Sequence, residues 1–212
     1  MKFTLDDVRR VIGRALEDEP TGDPFLDARY DETTAQRGEP LYYYRFFYLF
    51  AMEFKPRFSV ELGAWQATCA AHMAGGNPDG VVVTIDHHTD PGDEAHRARA
   101  LEAAQRYPNL FYLQGWTWDM VGEVRAFGKR VEVLFIDSWH QHDKVTRDWQ
   151  DYSPLLSSPA LVVADDILEK DGPVIAGMQR FWDGLPGEKF LDRRLHPCGP
   201  SCYPMGFLKH VG

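Results

Sequence analysis

Short, nearly continuous apolar runs alternate along this chain with stretches of helical apolar spacing, and their order predicts its elements. Val131 to Ile136 is a short, β-branched, almost continuous apolar run, as expected of a strand buried on both faces. Ala160 to Ala164 repeats it, and a polar segment of helix length joins the two. Upstream, Phe58–Leu62, Val81–Ile85 and Leu110–Leu113 read as three more strands. Between them lie predicted helices over Ala64–Ala71, Asp93–Tyr107 and Val121–Phe127, with a turn at Gly75–Gly80. Gly172–Trp182 follows as another helix, and Phe190–Leu195 and Tyr203–His210 as two closing strands. At the N-terminus, Leu5, Val8, Val11, Ile12 and Leu16 fall at helical spacing behind Thr4, a suitable N-cap. Glu17–Pro40 has little periodicity and reads as an irregular connection. Leu41–Phe54 is a helix in which eight of fourteen residues are aromatic, so it must be largely buried.

Strands alternating with helices and closing in a hairpin predict an α/β fold. The expected form is a Rossmann-like, doubly wound and mostly parallel sheet with an antiparallel C-terminal hairpin strand. Residues 1–40 form a helix and an irregular extension, and 41–212 the α/β domain. In such sheets ligands bind outside the carboxyl ends of the strands. Asp137 and His140 follow one strand, and Asp165 and Asp166 follow the next. Each acid alone could cap a helix or face water. Together at one rim they would repel one another unless a cation lay among them. Oxygen-rich acidic sets suit Mg²⁺, Ca²⁺ or Mn²⁺ rather than zinc.

A second set lies on the other side of that rim. Glu61, Gly63 and Ala64 end the first strand with an acid, a glycine that permits close backbone approach, and small residues before a helix. The dinucleotide fingerprint has three glycines where this turn has one. Asp86, about 20 residues on, stands where a ribose diol is held. His87 and His88 beside it are either ligands or solvent-facing loop residues. The loop Gly115-Trp116-Thr117-Trp118 offers indole faces for a purine. Trp139 either walls an acceptor pocket or packs. His196, Cys198 and Cys202 make a weak zinc set, since turn residues account for their loop.

Charge narrows the partners. A net −9, from 23 Lys and Arg against 32 Asp and Glu, disfavours nucleic acid. No run approaches the about 18 apolar residues of a membrane span. The N-terminus lacks the basic-then-apolar order of a signal peptide, and three cysteines do not suggest a disulfide framework. A cytoplasmic protein without membrane partner is expected, with a possible homo-oligomer contact through the aromatic helix.

These motifs, in this order, resemble class I S-adenosylmethionine (SAM)-dependent methyltransferases over about residues 41–184. More narrowly, they resemble metal-dependent O-methyltransferases of the catechol O-methyltransferase type. The resemblance implies SAM contacts at Glu61, Gly63, Ala64, Asp86, His87, Gly115, Trp116, Thr117 and Asp137. It also implies a divalent metal, Mg²⁺ foremost, on Asp137, Asp165 and Asp166, and catalysis by His140 and Asp137 on a hydroxyl of a small molecule. There are departures: Ala67 replaces a glycine, His140 stands where the catechol enzymes carry lysine, and Asp166 replaces asparagine. The Asp-x-x-His arrangement also resembles metal-dependent sugar O-methyltransferases. Two alternatives remain: another metal-dependent enzyme on this fold, hydroxylase or hydrolase, and a non-catalytic adenosine-binding module.

Overall fold

The structure is a computed structural model that describes residues 1–167, 176–196 and 204–212. Its elements run α1 (Leu5–Ala15), α2 (Pro24–Arg37), α3 (Tyr43–Phe54), β1 (Phe58–Leu62), α4 (Thr68–Gly76), β2 (Val81–Asp86), α5 (Glu94–Arg106) and β3 (Leu110–Gln114). They continue with α6 (Thr117–Ala126), β4 (Val131–Ile136), α7 (His142–Tyr152), β5 (Leu156–Ala164), α8 (Ala176–Gly184), β6 (Glu188–Asp192) and β7 (Met205–His210). The sheet order is β3-β2-β1-β4-β5-β7-β6. Strands β1 to β5 pair in parallel, and β7 pairs antiparallel with both β5 and β6. The expected α/β architecture, with its antiparallel C-terminal hairpin, is therefore present.

Strand periodicity explains the two cores. In β4, Val133 and Phe135 face one side, packing with α1, α3 and α4, while Leu134 and Ile136 face the other, with α7 and α8. Every residue of β4 is buried, including Glu132, whose carboxylate takes the Met1 ammonium and Arg57. The aromatic α3 lies under the sheet, where Phe47 meets Phe135 and Phe46 meets Phe207.

Glu17–Pro40 departs from its expected irregularity, because residues 24–37 form the regular helix α2. Asp23 caps it, accepting from the Phe25 N–H at 2.9 Å, Pro24 occupies its first turn, and Gly38 ends it at φ +77°. The buried stripe is Leu26, Arg29, Tyr30 and Thr33, at helical spacing but half polar, which hid the period. The buried Arg29 donates to the carbonyls of Gln66 and Arg99, tying α2 to the turn after β1 and to α5. Boundaries shift elsewhere as well. Helix α4 starts at Thr68 rather than Ala64, α6 starts four residues early at Thr117, and β5 starts at Leu156. The expected helix start at 172–175, and Tyr203, Cys198 and Cys202, lie outside the described residues. Among the described residues no helix is long and apolar enough to cross a membrane.

Candidate active site

Register brings the site together. Leu62 is level with both Ile85 and Ile136, and Ile136 with Ala164, so Gly63, Asp86, Asp137 and Asp165 leave the sheet at one rim. The order reverses there, because β2 and β3 extend from β1 in one direction and β4 and β5 in the other. At this crevice lies a cavity of about 480 Å³.

Gly63 makes the crevice possible. Its φ is +94°, and a Cβ there would collide with the Asp137 carbonyl and lie 2.9 Å from Ser138 Cα. Trp65 and Ala67 also have positive φ, so the turn after β1 is held in a conformation that side chains resist. One wall of the cavity holds Asp86, whose Oδ2 accepts from the Trp65 N–H at 2.8 Å. His87, Gly115, Trp116, Thr117 and Trp139 continue it. Trp116 and Trp118 stack at 5.3 Å and 5°, and Trp139 lies nearly parallel to both. Trp118 is not on the wall; it backs Trp116 and carries Arg147 over its ring.

The opposite wall holds Asp137, Asp165, Asp166 and His140. Burial raises the Asp137 carboxyl well above the usual range, and the neighbouring Asp165 and Asp166 add to it. Asp165 is pushed up to about 6 for the same reasons. Asp166, in the left-handed region at φ +53°, turns its Oδ2 to 3.1 Å from His140 Nε2 and raises that imidazole. The contact is not a hydrogen bond by its geometry, and it becomes an ion pair only when the imidazole is protonated.

Two buried carboxylates that resist ionising, Asp137 and Asp165, with Asp166 beside them, are a hard oxygen donor set suited to a divalent cation. Their oxygens are not gathered to one point, however. Asp166 faces His140, and Asp165 Oδ1 accepts from the Asp166 N–H at 3.0 Å. Among the described residues, the three-residue group whose ligand atoms all lie within 4.8 Å of one another is His87, Asp90 and Asp93, on the loop after β2.

Of the expected site residues, Glu61 and Ala64 do not reach the cavity. Glu61 is buried beneath it, accepts from Thr84 Oγ1, and is pushed up to about 8, chiefly by burial. Sequence reasoning missed Arg37, Glu39 and Trp65 on the wall, and Ser138 beside Asp137. Tyr43 of α3 also lines the cavity and stacks on His196 at 5.2 Å and 5°. A buried acid behind the wall was also missed. Asp148 of α7 accepts from Thr117 Oγ1 at 2.5 Å and Ser138 Oγ at 2.6 Å, joining the loops after β3 and β4.

A family model described as a methyltransferase domain matches residues 60–167. No curated protein matches the chain. Among solved structures, an O-methyltransferase from Bacillus cereus in complex with SAH superposes with a TM-score of 0.67 at 15% identity, covering 94% of this chain and 96% of that one. TomG from Streptomyces achromogenes, an O-methyltransferase involved in tomaymycin synthesis and in complex with SAM, gives 0.66 at 17%, covering 90% and 91%. The SAH-bound Podospora anserina methyltransferase PaMTH1 gives 0.65 at 14%, covering 99% and 98%. At these identities the likeness is one of fold.

Proposed function

The chain belongs to the methyltransferase domain family, and from that premise we propose that it moves a methyl group from SAM to a hydroxyl oxygen of a small molecule, with a divalent cation assisting. The observation that carries this reading is the division of one cavity into a nucleoside-type wall and an acid–imidazole wall. Similar folds carry SAH or SAM.

On the first wall, Asp86 would accept both ribose hydroxyls, its carboxylate already fixed by the Trp65 N–H. Trp116 and Trp139, already stacked on each other at 5.5 Å, would offer the adenine an outer flat face. On the second wall, the His140 imidazole would take the acceptor's hydroxyl proton. Asp137, Asp165 and Asp166 are the residues that would hold Mg²⁺, which when bound makes a nearby hydroxyl more acidic. Asp166 would have to turn from His140 to join such a set. Holding donor and acceptor in contact is the remaining contribution. Well-oriented intramolecular reactions gain on the order of 7–11 kcal/mol that way.

The test combines binding with turnover. S-adenosylhomocysteine (SAH) should raise the melting temperature, and labelled methyl transfer to a panel of hydroxylated acceptors should cease in EDTA and return with Mg²⁺. His140→Ala should keep the SAH affinity within threefold and cut turnover on the order of 100-fold or more. Absence of any SAH shift would end the methyltransferase reading. Full activity in EDTA would remove the cation from it.

A further inference from the structure

The cavity has a third wall, which neither set of motifs contains. It is formed by Arg37, Glu39 and Trp65. Among the described residues lining the cavity, Arg37 is the single arginine or lysine, set against five carboxylates: Glu39, Asp86, Asp137, Asp165 and Asp166. We propose that Arg37 and Glu39, on either side of Gly38, form a receptor for an α-amino-acid zwitterion, the aminobutyrate end of the methyl donor.

The arrangement follows from how α2 ends. Arg29 anchors that helix to the Gln66 carbonyl, so its last turn lies against the turn after β1. Gly38 closes the helix in the left-handed conformation, its N–H bonded to the Thr34 carbonyl at 2.8 Å. The chain reverses there and sends both Arg37 and Glu39 to the cavity. The Arg37 guanidinium lies 5.1 Å from the Trp65 ring centroid, a cation–π contact that directs it while leaving its N–H donors unspent. Neither Arg37 nor Glu39 makes a hydrogen bond or ion pair with the other or with any described residue.

A cation and an anion two residues apart, neither spending a hydrogen bond, select a ligand that carries both charges close together, although the Arg37 charge also acts on Asp137 in the same cavity. A lone carboxylate would suit Arg37 and be repelled by Glu39; a lone ammonium would meet the converse. An α-ammonium and α-carboxylate on one carbon satisfy both. The topology of the donor gives the same answer, and here the inference rests on the proposed function. A sulfonium has three arms. If the adenosyl arm lies along Asp86 and Trp116, and the methyl points to His140, the third arm is left for the wall of Arg37, Glu39 and Trp65. That arm ends in an amino acid.

The same zwitterion could instead belong to an amino-acid acceptor, so the experiment compares two cofactor fragments. Calorimetry would measure SAH, which has the amino-acid end, and 5′-methylthioadenosine, which lacks it, on the wild type and on Arg37→Ala, Arg37→Lys and Glu39→Gln. Arg37 is exposed and Glu39 only half-buried, so the variants should melt with the wild type. Arg37→Ala should weaken SAH at least 10-fold while 5′-methylthioadenosine stays within twofold. Arg37→Lys should recover part of that loss, and Glu39→Gln should weaken SAH alone by about threefold or more. Unchanged SAH binding to Arg37→Ala overturns the assignment and leaves the zwitterion to an acceptor. Equal loss of both ligands overturns it too, because Arg37 would then only shape the pocket through Trp65. A wild type that binds neither ligand rejects the methyltransferase reading, a result distinct from both.

Discussion

Asp148 offers the sharpest check on how the site is held. It sits on α7 with no exposed surface and accepts hydrogen bonds from Thr117 on one loop and Ser138 on the other. Tyr152, one turn along α7, donates to the Thr117 carbonyl at 2.6 Å, so the same helix grips that loop twice. Asp148→Ala would remove the shared acceptor and strand two hydroxyls. Hydrogen bonds to a charged group contribute about 1.5–3 kcal/mol each, so two give about 3–6 kcal/mol. Burial raises the Asp148 carboxyl, which places the expected loss at the lower end, about 3 kcal/mol. That is a large part of the 5–15 kcal/mol typical of a domain, roughly. Urea denaturation at pH 7.5 would read it. Calorimetry with SAH should show a further loss of about tenfold, because Thr117 and Ser138 border the cavity. Asp148→Asn keeps the shape and can accept from one hydroxyl while donating to the other, so about half the stability should return. A double-mutant cycle with Ser138→Ala isolates the shared bond. If Asp148→Ala unfolds within 1 kcal/mol of wild type, roughly, and binds SAH unchanged, the clamp has no energetic content.

Two further perturbations act on the frame. Gly63→Ala would force a Cβ to 2.6 Å from the Asp137 carbonyl carbon at a φ of +94°. A left-handed conformation alone costs roughly 1–2 kcal/mol without glycine, and the clash adds to it. A loss of more than 2 kcal/mol is expected in urea, roughly, with SAH binding abolished; normal binding would show that the two strand ends need not touch. His72, fully buried on α4 with Nδ1 2.8 Å from the Thr68 carbonyl, is pushed down to about 4, mainly by burial. Its folded value lies below the unfolded one near 6.5, so the unfolded chain takes up the proton first. Stability from this residue is complete above pH 6.5 and is lost as the pH falls toward 4, by about 3 kcal/mol. Urea midpoints of wild type and His72→Leu between pH 7.5 and 4.5 should converge on acidification; parallel curves would place the imidazole in contact with water.

The chain's local patterns fixed most of the frame, because burial on two sides leaves a clear trace in sequence. Phe58–Leu62 and Val131–Ile136 match their predicted strands residue for residue, since a strand covered by helices on both faces is mostly apolar and its few polar residues, Ser59, Glu61 and Glu132, are buried with it. The same reading located Gly63, Asp86, Asp137 and Asp165 at strand ends. Parallel pairing then sets those ends side by side.

Helix α2 escaped because half its buried stripe is polar. The Arg29 guanidinium is bonded to the Gln66 and Arg99 carbonyls, partners far away in sequence, and no local pattern reports such satisfaction. Arg37 and Glu39 escaped with it. The removal of Glu61 from the cavity wall, the turn of Asp166 toward His140, and the clamp at Asp148 are likewise long-range outcomes. Sequence by itself determined, to within a residue, where the five parallel strands end, since that depends on periodicity and on the stops between elements, whereas the strand expected over Phe190–Leu195 lies at Glu188–Asp192. Only the tertiary structure decided which way the residues at those ends face, because a side chain's direction is set by the neighbours that satisfy its charge and hydrogen bonds, and those neighbours come from distant parts of the chain.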